Sequence, residues 1–194
     1  MIAYAGAWLV FGLVHSLSSR EPAKAVLRRM VGRGMRLCWN GLAVVELAVV
    51  LWVGKIAMVA VPLDRPGWVM VAQGGIGIGG LVVLGWAVRG YDMRRFVGVA
   101  QIGGDVEDEE PFRVDGMLGF VRHPLYLGAL MVLAGVVRDT TSLATAVFAT
   151  GYILVGLRFE ERALIRRFGP AYEAYRARVP ALVPWRGRAW PGRG

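Results

Sequence analysis

Residues 38–61 read CWNGLAVVELAVVLWVGKIAMVAV, an apolar run interrupted only by the charged side chains of Glu46 and Lys55. A helix of this length is about 36 Å long, which is enough to cross the roughly 30 Å hydrocarbon core of a bilayer with some tilt. A surface helix of a soluble protein would instead show polar residues recurring at every turn. The run therefore predicts a membrane-spanning helix.

Four further apolar runs lie on either side of this one, and the last two are short for independent spans. They cover residues 2–17, 68–88, 125–137 and 143–157. We expect the short pair to form a helical hairpin that turns at residues 138–142. The basic stretch after Leu157 is expected to form a separate amphipathic cytoplasmic helix.

The fold class predicted from these runs is an all-α integral membrane protein with about five transmembrane helices. We expect one membrane domain over residues 1–194. Its predicted parts are a three-helix N-terminal part at 1–88, a cytoplasmic loop at 89–121, and a hairpin with its tail at 122–184.

The charges are clustered between the apolar runs, and they predict an orientation. Lys and Arg number 23 against 14 Asp and Glu, for a net charge of +9. The linker that follows the first run holds six basic residues against Glu21, so the positive-inside rule places it in the cytoplasm. The N-terminus is then outside and the C-terminus cytoplasmic. Because the arginines flank apolar segments rather than alternating with aromatics along a face, we expect no nucleic-acid partner.

Two stretches invite functional readings that the residues do not support. The sequence QGGIGIGGLVVLG at 73–85 lies inside an apolar run without the strand that a dinucleotide loop requires, so we expect its glycines to serve helix packing. The acidic run at 105–110 is read as a solvated turn. The single cysteine, Cys38, excludes an internal disulfide, and we expect no metal site.

An ionisable cluster is expected at the cytoplasmic mouth of the predicted hairpin. Arg122 and His123 precede its first helix, and Glu160 and Glu161 follow its second. Such residues at the edge of a membrane span are costly to place and so indicate a functional site. The competing interpretation is that they are interfacial anchors and helix-surface ion pairs. Spacing alone leaves both open.

Two stretches of sequence favour a functional site over interfacial anchors. They are VRHPLYLGALMVLAG at 121–135 and LRFEERALIRRFGPAYEAYRARVPALVP at 157–184. Together they resemble the isoprenylcysteine carboxyl methyltransferase and phospholipid methyltransferase superfamily, whose signature is RHPxYxG, two helices, an EE pair and FGxxYxxYxxxVPxLxP. VHSLSSREPAKAVL at 14–27 and RGYDMRRFVGVAQ at 89–101 resemble its bacterial branch, which includes methanethiol S-methyltransferase and the denitrification-associated protein NnrU.

The resemblance implies a membrane methyltransferase that uses S-adenosylmethionine in a pocket between the hairpin and the C-terminal segment. Carried over by position, it implies catalytic roles for Arg122, His123 and Glu161. The implied cofactor-binding residues are Arg122, His123, Pro124, Tyr126, Leu127, Gly128, Glu160, Glu161 and Tyr172. It also implies a bacterial inner-membrane location.

The acceptor is left open by the sequence. The implied partners are membrane lipids and a small-molecule or lipid acceptor, most plausibly a thiol. Isoprenylcysteine carboxylate methylation, phospholipid amine methylation and a non-enzymatic NnrU-like role are the alternatives. His15 either lines an acceptor pocket or anchors the end of the first helix. Glu46, a carboxylate inside a span, is expected to face the bundle interior with Trp39, Asn40 or another polar partner.

Overall fold

The computed structural model describes residues 1–104 and 112–188, and within them the chain is helical with no β-strand. The acidic run at 105–110 lies outside the described residues. Two compact units are present, an N-terminal unit of residues 1–62, 92–104 and 139–141 and a C-terminal unit of residues 63–91, 112–138 and 142–188. Three helical stretches are long and apolar enough to cross a membrane, Glu21–Ala57, Gly67–Arg89 and Thr140–Phe168, and the helices Ile2–Ser18 and Pro124–Gly135 are shorter and apolar. The bounds are α1 Ile2–Ser18, α2 Glu21–Val31, α3 Met35–Ala57, α4 Gly67–Arg89, α5 Met93–Val97, α6 Val99–Gly103, α7 Pro124–Gly135, α8 Thr140–Phe168 and α9 Pro170–Arg178. The all-α membrane fold predicted from the sequence is confirmed.

In the N-terminal unit, α1 packs against α3 through a large aromatic side chain facing a glycine. Tyr4 is fully buried, and a Cβ added to Gly54 would lie 2.7 Å from its ring. No side chain fits there, so the glycine sets how closely the two helices approach. Farther along the same contact, His15 of α1 meets Glu46 of α3, which supplies the polar partner expected for the intramembrane carboxylate.

The linker predicted between the first two runs contains a helix of its own. Helix α2 follows Arg20, has Pro22 near its start, and ends at Gly32, whose φ is +56°. Its basic residues alternate with alanine, valine and leucine, all of which are compatible with a helix. A 3₁₀ turn at Gly32–Gly34 then leads into α3.

In the C-terminal unit, α4 and α7 meet at paired glycines. A Cβ on Gly135 would lie 2.4 Å from the Cα of Gly77, and one on Gly80 would lie 2.8 Å from the carbonyl oxygen of Gly128. The packing role predicted for the glycine-rich stretch is confirmed at these positions. A Cβ added to Gly75 would have no neighbouring atom within 4 Å, so Gly75 makes no such contact.

The second helix of the hairpin is longer than predicted. Helix α8 runs without interruption through Leu157 to Phe168, so the prediction of a separate tail helix from residue 158 was wrong. Residues 158–168 contain neither glycine nor proline, and nothing there ends the helix. Gly169, at a φ of +53°, ends it, and Pro170 then opens α9.

Candidate functional site

Glu161 is the centre of a buried polar cluster in the C-terminal unit. Arg122 donates from Nε to one carboxylate oxygen at 2.8 Å and from Nη2 to the other at 3.0 Å. Nε2 of His123 lies 2.6 Å from the first oxygen, and Tyr172 donates its hydroxyl to the same oxygen at 2.8 Å. Arg176 places Nε 3.3 Å from the second oxygen. Both oxygens are therefore fully engaged by protein groups.

Three separate segments of the chain deliver these partners. Glu161 comes from the end of α8, the residues before α7 bring Arg122 and His123, and α9 brings Tyr172. The backbone N–H groups of Arg122 and His123 donate to the carbonyls of Pro180 and Ala181, at 2.9 and 3.0 Å. The start of the hairpin is thus tied to the segment after α9, which fixes where the two side chains begin.

The guanidinium of Arg122 is engaged on every side. Besides its paired bond to Glu161, its Nη1 donates to the backbone carbonyls of Arg176 and Val179. Only 9% of the side chain is exposed. A buried bidentate pair of this kind holds both partners in one geometry, so Arg122 and Glu161 together join the hairpin to α9.

Aromatic packing keeps water away from one side of this cluster. Tyr172, Tyr175, Val114 and Val179 form a buried hydrophobic core, with Phe112 packed on it. Burial, followed by the neighbouring Glu161 carboxylate, raises the pKa of Tyr172 above its usual range. Burial likewise raises the pKa of Tyr175, whose hydroxyl donates to the carbonyl of Leu118 at 2.7 Å. Both hydroxyls therefore remain protonated donors at physiological pH.

A second, more open polar group adjoins the first. Tyr126 donates its hydroxyl to Glu160 at 2.5 Å, and its ring stacks on that of His123 with centroids 5.5 Å apart. Nδ1 of His123 lies 3.9 Å from the same Glu160 oxygen. Glu160 is 43% exposed at its side chain, whereas Glu161 is 8% exposed. The two adjacent glutamates thus occupy very different environments.

The structure brings most of the sequence-predicted site residues together. Those that meet are Arg122, His123, Tyr126, Glu160, Glu161 and Tyr172. Pro124 is buried at the first position of α7, and Leu127 is partly exposed one turn further on. Gly128 faces Leu84 and Gly80 of α4 rather than the cluster. His15 belongs to the N-terminal unit.

Sequence reasoning missed Arg176 as a member of the cluster. In the sequence it is one of several basic residues in the tail, and nothing local separates it from Arg178. Its position one helical turn after Tyr172 was the available signal, since residues four apart share a face of a helix.

Comparisons with known proteins bear on what this cluster does. No family model matches the chain, and no solved structure matches it. A methanethiol S-methyltransferase of Mycobacterium tuberculosis is 33% identical over 187 residues, covering 91% of this chain and 75% of the relative. One of Crocosphaera subtropica is 28% identical over 200 residues, covering 92% and 72%. Methanethiol S-methyltransferase 2 of Bradyrhizobium diazoefficiens is 47% identical over 76 residues, covering 39% and 29%.

These similarities extend along nearly the whole chain in the first two relatives, and they agree with the bacterial branch that the motifs resemble. They confirm the prediction of a methyltransferase. The chain belongs to the methanethiol S-methyltransferase family.

Proposed function

We propose that this membrane methyltransferase transfers the methyl group of S-adenosylmethionine to a small thiol. The observation that carries the proposal is the contrast between two adjacent glutamates. Both oxygens of Glu161 are hydrogen-bonded by protein groups, whereas the carboxylate of Glu160 is half-exposed. The names of the relatives supply the acceptor class, a small thiol.

The residues present fit the chemical groups of the cofactor. S-adenosylmethionine supplies an electrophilic methyl group on a sulfonium, and it also carries an ammonium, a ribose diol and a carboxylate. Glu160 offers an exposed carboxylate for the ammonium or the diol, and Tyr126 orients that carboxylate. Arg176 is held at Nε by Glu161 while 52% of its side chain is exposed, so its guanidinium can bind a carboxylate.

Glu161, Arg122 and His123 are best explained as positioning residues. Both oxygens of Glu161 and three guanidinium nitrogens of Arg122 already bond to protein groups. Their contribution is to hold the His123 ring, on which Tyr126 stacks, and thereby the carboxylate of Glu160. Pre-organised binding groups of this kind lower the barrier of a displacement reaction by fixing the reactants in line.

The acceptor thiol is assigned to His15 and Glu46 in the N-terminal unit. Nδ1 of His15 lies 3.2 Å from one oxygen of Glu46. The other oxygen is buried and has no hydrogen-bond partner among the described residues, and the same holds for Nε1 of Trp39. Phe11 stacks on His15, and the Trp39 ring lies 5.1 Å from it. Sulfur makes favourable contacts with aromatic rings, and the carboxylate oxygen of Glu46 that lacks a partner can accept the proton of the thiol.

We further propose five membrane crossings in a bacterial inner membrane, with the N-terminus outside and the C-terminus cytoplasmic. Support comes from the five apolar helices and from the basic residues around α2, against the nearly neutral connection at residues 62–66. A C-terminal reporter active only on the periplasmic side would contradict this orientation.

Calorimetry on the detergent-purified protein tests the cofactor. We expect saturable micromolar binding of S-adenosylmethionine and S-adenosylhomocysteine and none of NADPH. Glu160→Gln should weaken the affinity at least tenfold without loss of folded protein. Well-folded wild type that binds neither sulfur compound would refute the cofactor assignment.

A labelled-methyl assay tests the acceptor. With methanethiol and labelled cofactor, the label is expected in dimethyl sulfide. Label found instead on a phospholipid amine or a prenylcysteine carboxylate would refute the thiol assignment while leaving the cofactor assignment intact.

A further inference from the structure

Helix α2 has an apolar side and a basic side, and its apolar side is exposed. Met30 is 77% exposed and Val26 is 56% exposed. At 100° per residue these two lie on one half of the helix, whereas Lys24 and Arg28 lie on the other. The helix buries no residue of its own against the rest of the N-terminal unit.

Helix α5 repeats this combination. Met93 and Phe96 are each 41% exposed, and Arg94 and Arg95 lie between them. An apolar surface and two cations are again presented by one short helix.

Both helices are attached to the same end of α3. Asn40 donates to the carbonyls of Phe96 and Val97 at 3.1 and 2.9 Å, which holds α5 there. At the junction of α5 and α6, a Cβ on Gly98 would lie 2.6 Å from the backbone nitrogen of Leu37. On the other side, Lys24 of α2 lies over the ring of Trp39, 5.5 Å from its centroid. We call α2 and α5 together the basic collar of α3.

The charge of the collar is strongly positive. Helices α2 and α5 hold five basic side chains and one acidic side chain: Lys24, Arg28, Arg29, Arg94 and Arg95 against Glu21. An acidic soluble partner would explain the cations. It would not explain exposed apolar residues on the same helices, at the end of a helix long enough to cross a membrane. An anionic lipid surface explains both, because headgroups neutralise the cations and acyl chains cover the apolar side.

We propose that the basic collar binds anionic lipids of the membrane in which α3 lies, with Met30 and Val26 in the acyl boundary and Arg28 and Arg29 at the headgroups. The collar thereby concentrates anionic lipid around the N-terminal unit. This inference does not depend on the methyltransferase activity.

Lipid-selective fluorescence quenching tests the proposal. A bimane label is placed at Met30→Cys in a Cys38→Ser background, and the full chain is reconstituted in phosphatidylcholine bilayers containing some phosphatidylglycerol. Spin-labelled phosphatidylglycerol is expected to quench the bimane several-fold more than spin-labelled phosphatidylcholine at the same mole fraction. Arg28→Gln/Arg29→Gln should bring the quenching ratio of the two lipids close to one, and 1 M salt should do the same.

The matched control is Arg162→Gln/Arg166→Gln, which removes two exposed cations from α8 and should leave the preference unchanged. Equal quenching by the two lipids in the wild type would overturn the proposal. So would an absence of quenching by both lipids, which would show that residue 30 does not lie at the bilayer. An equal loss in the control variant would overturn the assignment to the collar.

Discussion

Replacing Glu161 by glutamine should destabilise the protein far more than the same change at Glu160. The substitution keeps the shape of the side chain and removes its charge. The Arg122 side chain, which is only 9% exposed, then has no carboxylate to pair with. Removing one partner of a buried ion pair costs about 3–5 kcal/mol. Glu160 is 43% exposed and bonds to Tyr126, so its change to glutamine should cost about 1 kcal/mol or less.

Thermal unfolding in a mild detergent measures the difference. For a chain of this size, a loss of about 3 kcal/mol corresponds to a fall in Tm of roughly 6–12 °C. Glu161→Gln is expected to show such a fall and Glu160→Gln a shift of roughly 4 °C at most. Because a buried pair is costly mainly when broken, Arg122→Met combined with Glu161→Gln should lose less than the sum of the two single changes. A Glu161→Gln variant as stable as the wild type, or additive losses in the pair, would refute the assignment of Glu161 as the centre of the cluster.

Three other results follow from specific contacts. Gly135→Ala should lower Tm by several degrees, because the new Cβ would overlap the Cα of Gly77. Gly75→Ala should not lower Tm, because its Cβ would meet nothing within 4 Å. Similar Tm values for the two variants would contradict the α4–α7 contact. Tyr172→Phe should cost about 1 kcal/mol of stability by removing one donor to Glu161, measured by the same unfolding assay, and no loss would mean that the bond is not formed. Glu46→Gln should reduce turnover of an alkyl thiol by about 10²-fold or more while largely sparing an aryl thiol that is already ionised at neutral pH, and equal losses for both acceptors would indicate a purely structural role.

The membrane class of the protein could be predicted from the sequence because apolar length is a local property. The run at 38–61 needed no knowledge of its neighbours to indicate a span, and α3 and α4 begin and end within a few residues of the predicted bounds. The sequence also predicts Arg122, His123 and Glu161 as site residues, because they lie in stretches that resemble a family signature; their spacing alone leaves the role open.

Helix ends and the roles of adjacent residues required the tertiary structure. The apolar pattern ends at Leu157, but α8 continues to Phe168 and ends only where Gly169 adopts a φ of +53°. Glu160 and Glu161 are identical in type and adjacent in sequence. They differ because they point about 100° apart on α8, one toward Arg122 and α9 and the other toward Tyr126 and solvent.

Pairings between residues far apart in the sequence also required the tertiary structure. His15 and Glu46 lie 31 positions apart, and Arg176 lies 15 positions from Glu161. The sequence by itself determined that an intramembrane carboxylate needs a partner and that the C-terminal motif holds a polar cluster. The contacts between these side chains depend on how closely the glycines let the helices approach and on how each helix is rotated about its axis. Both are properties of the packing between helices, which the sequence of a single segment does not contain.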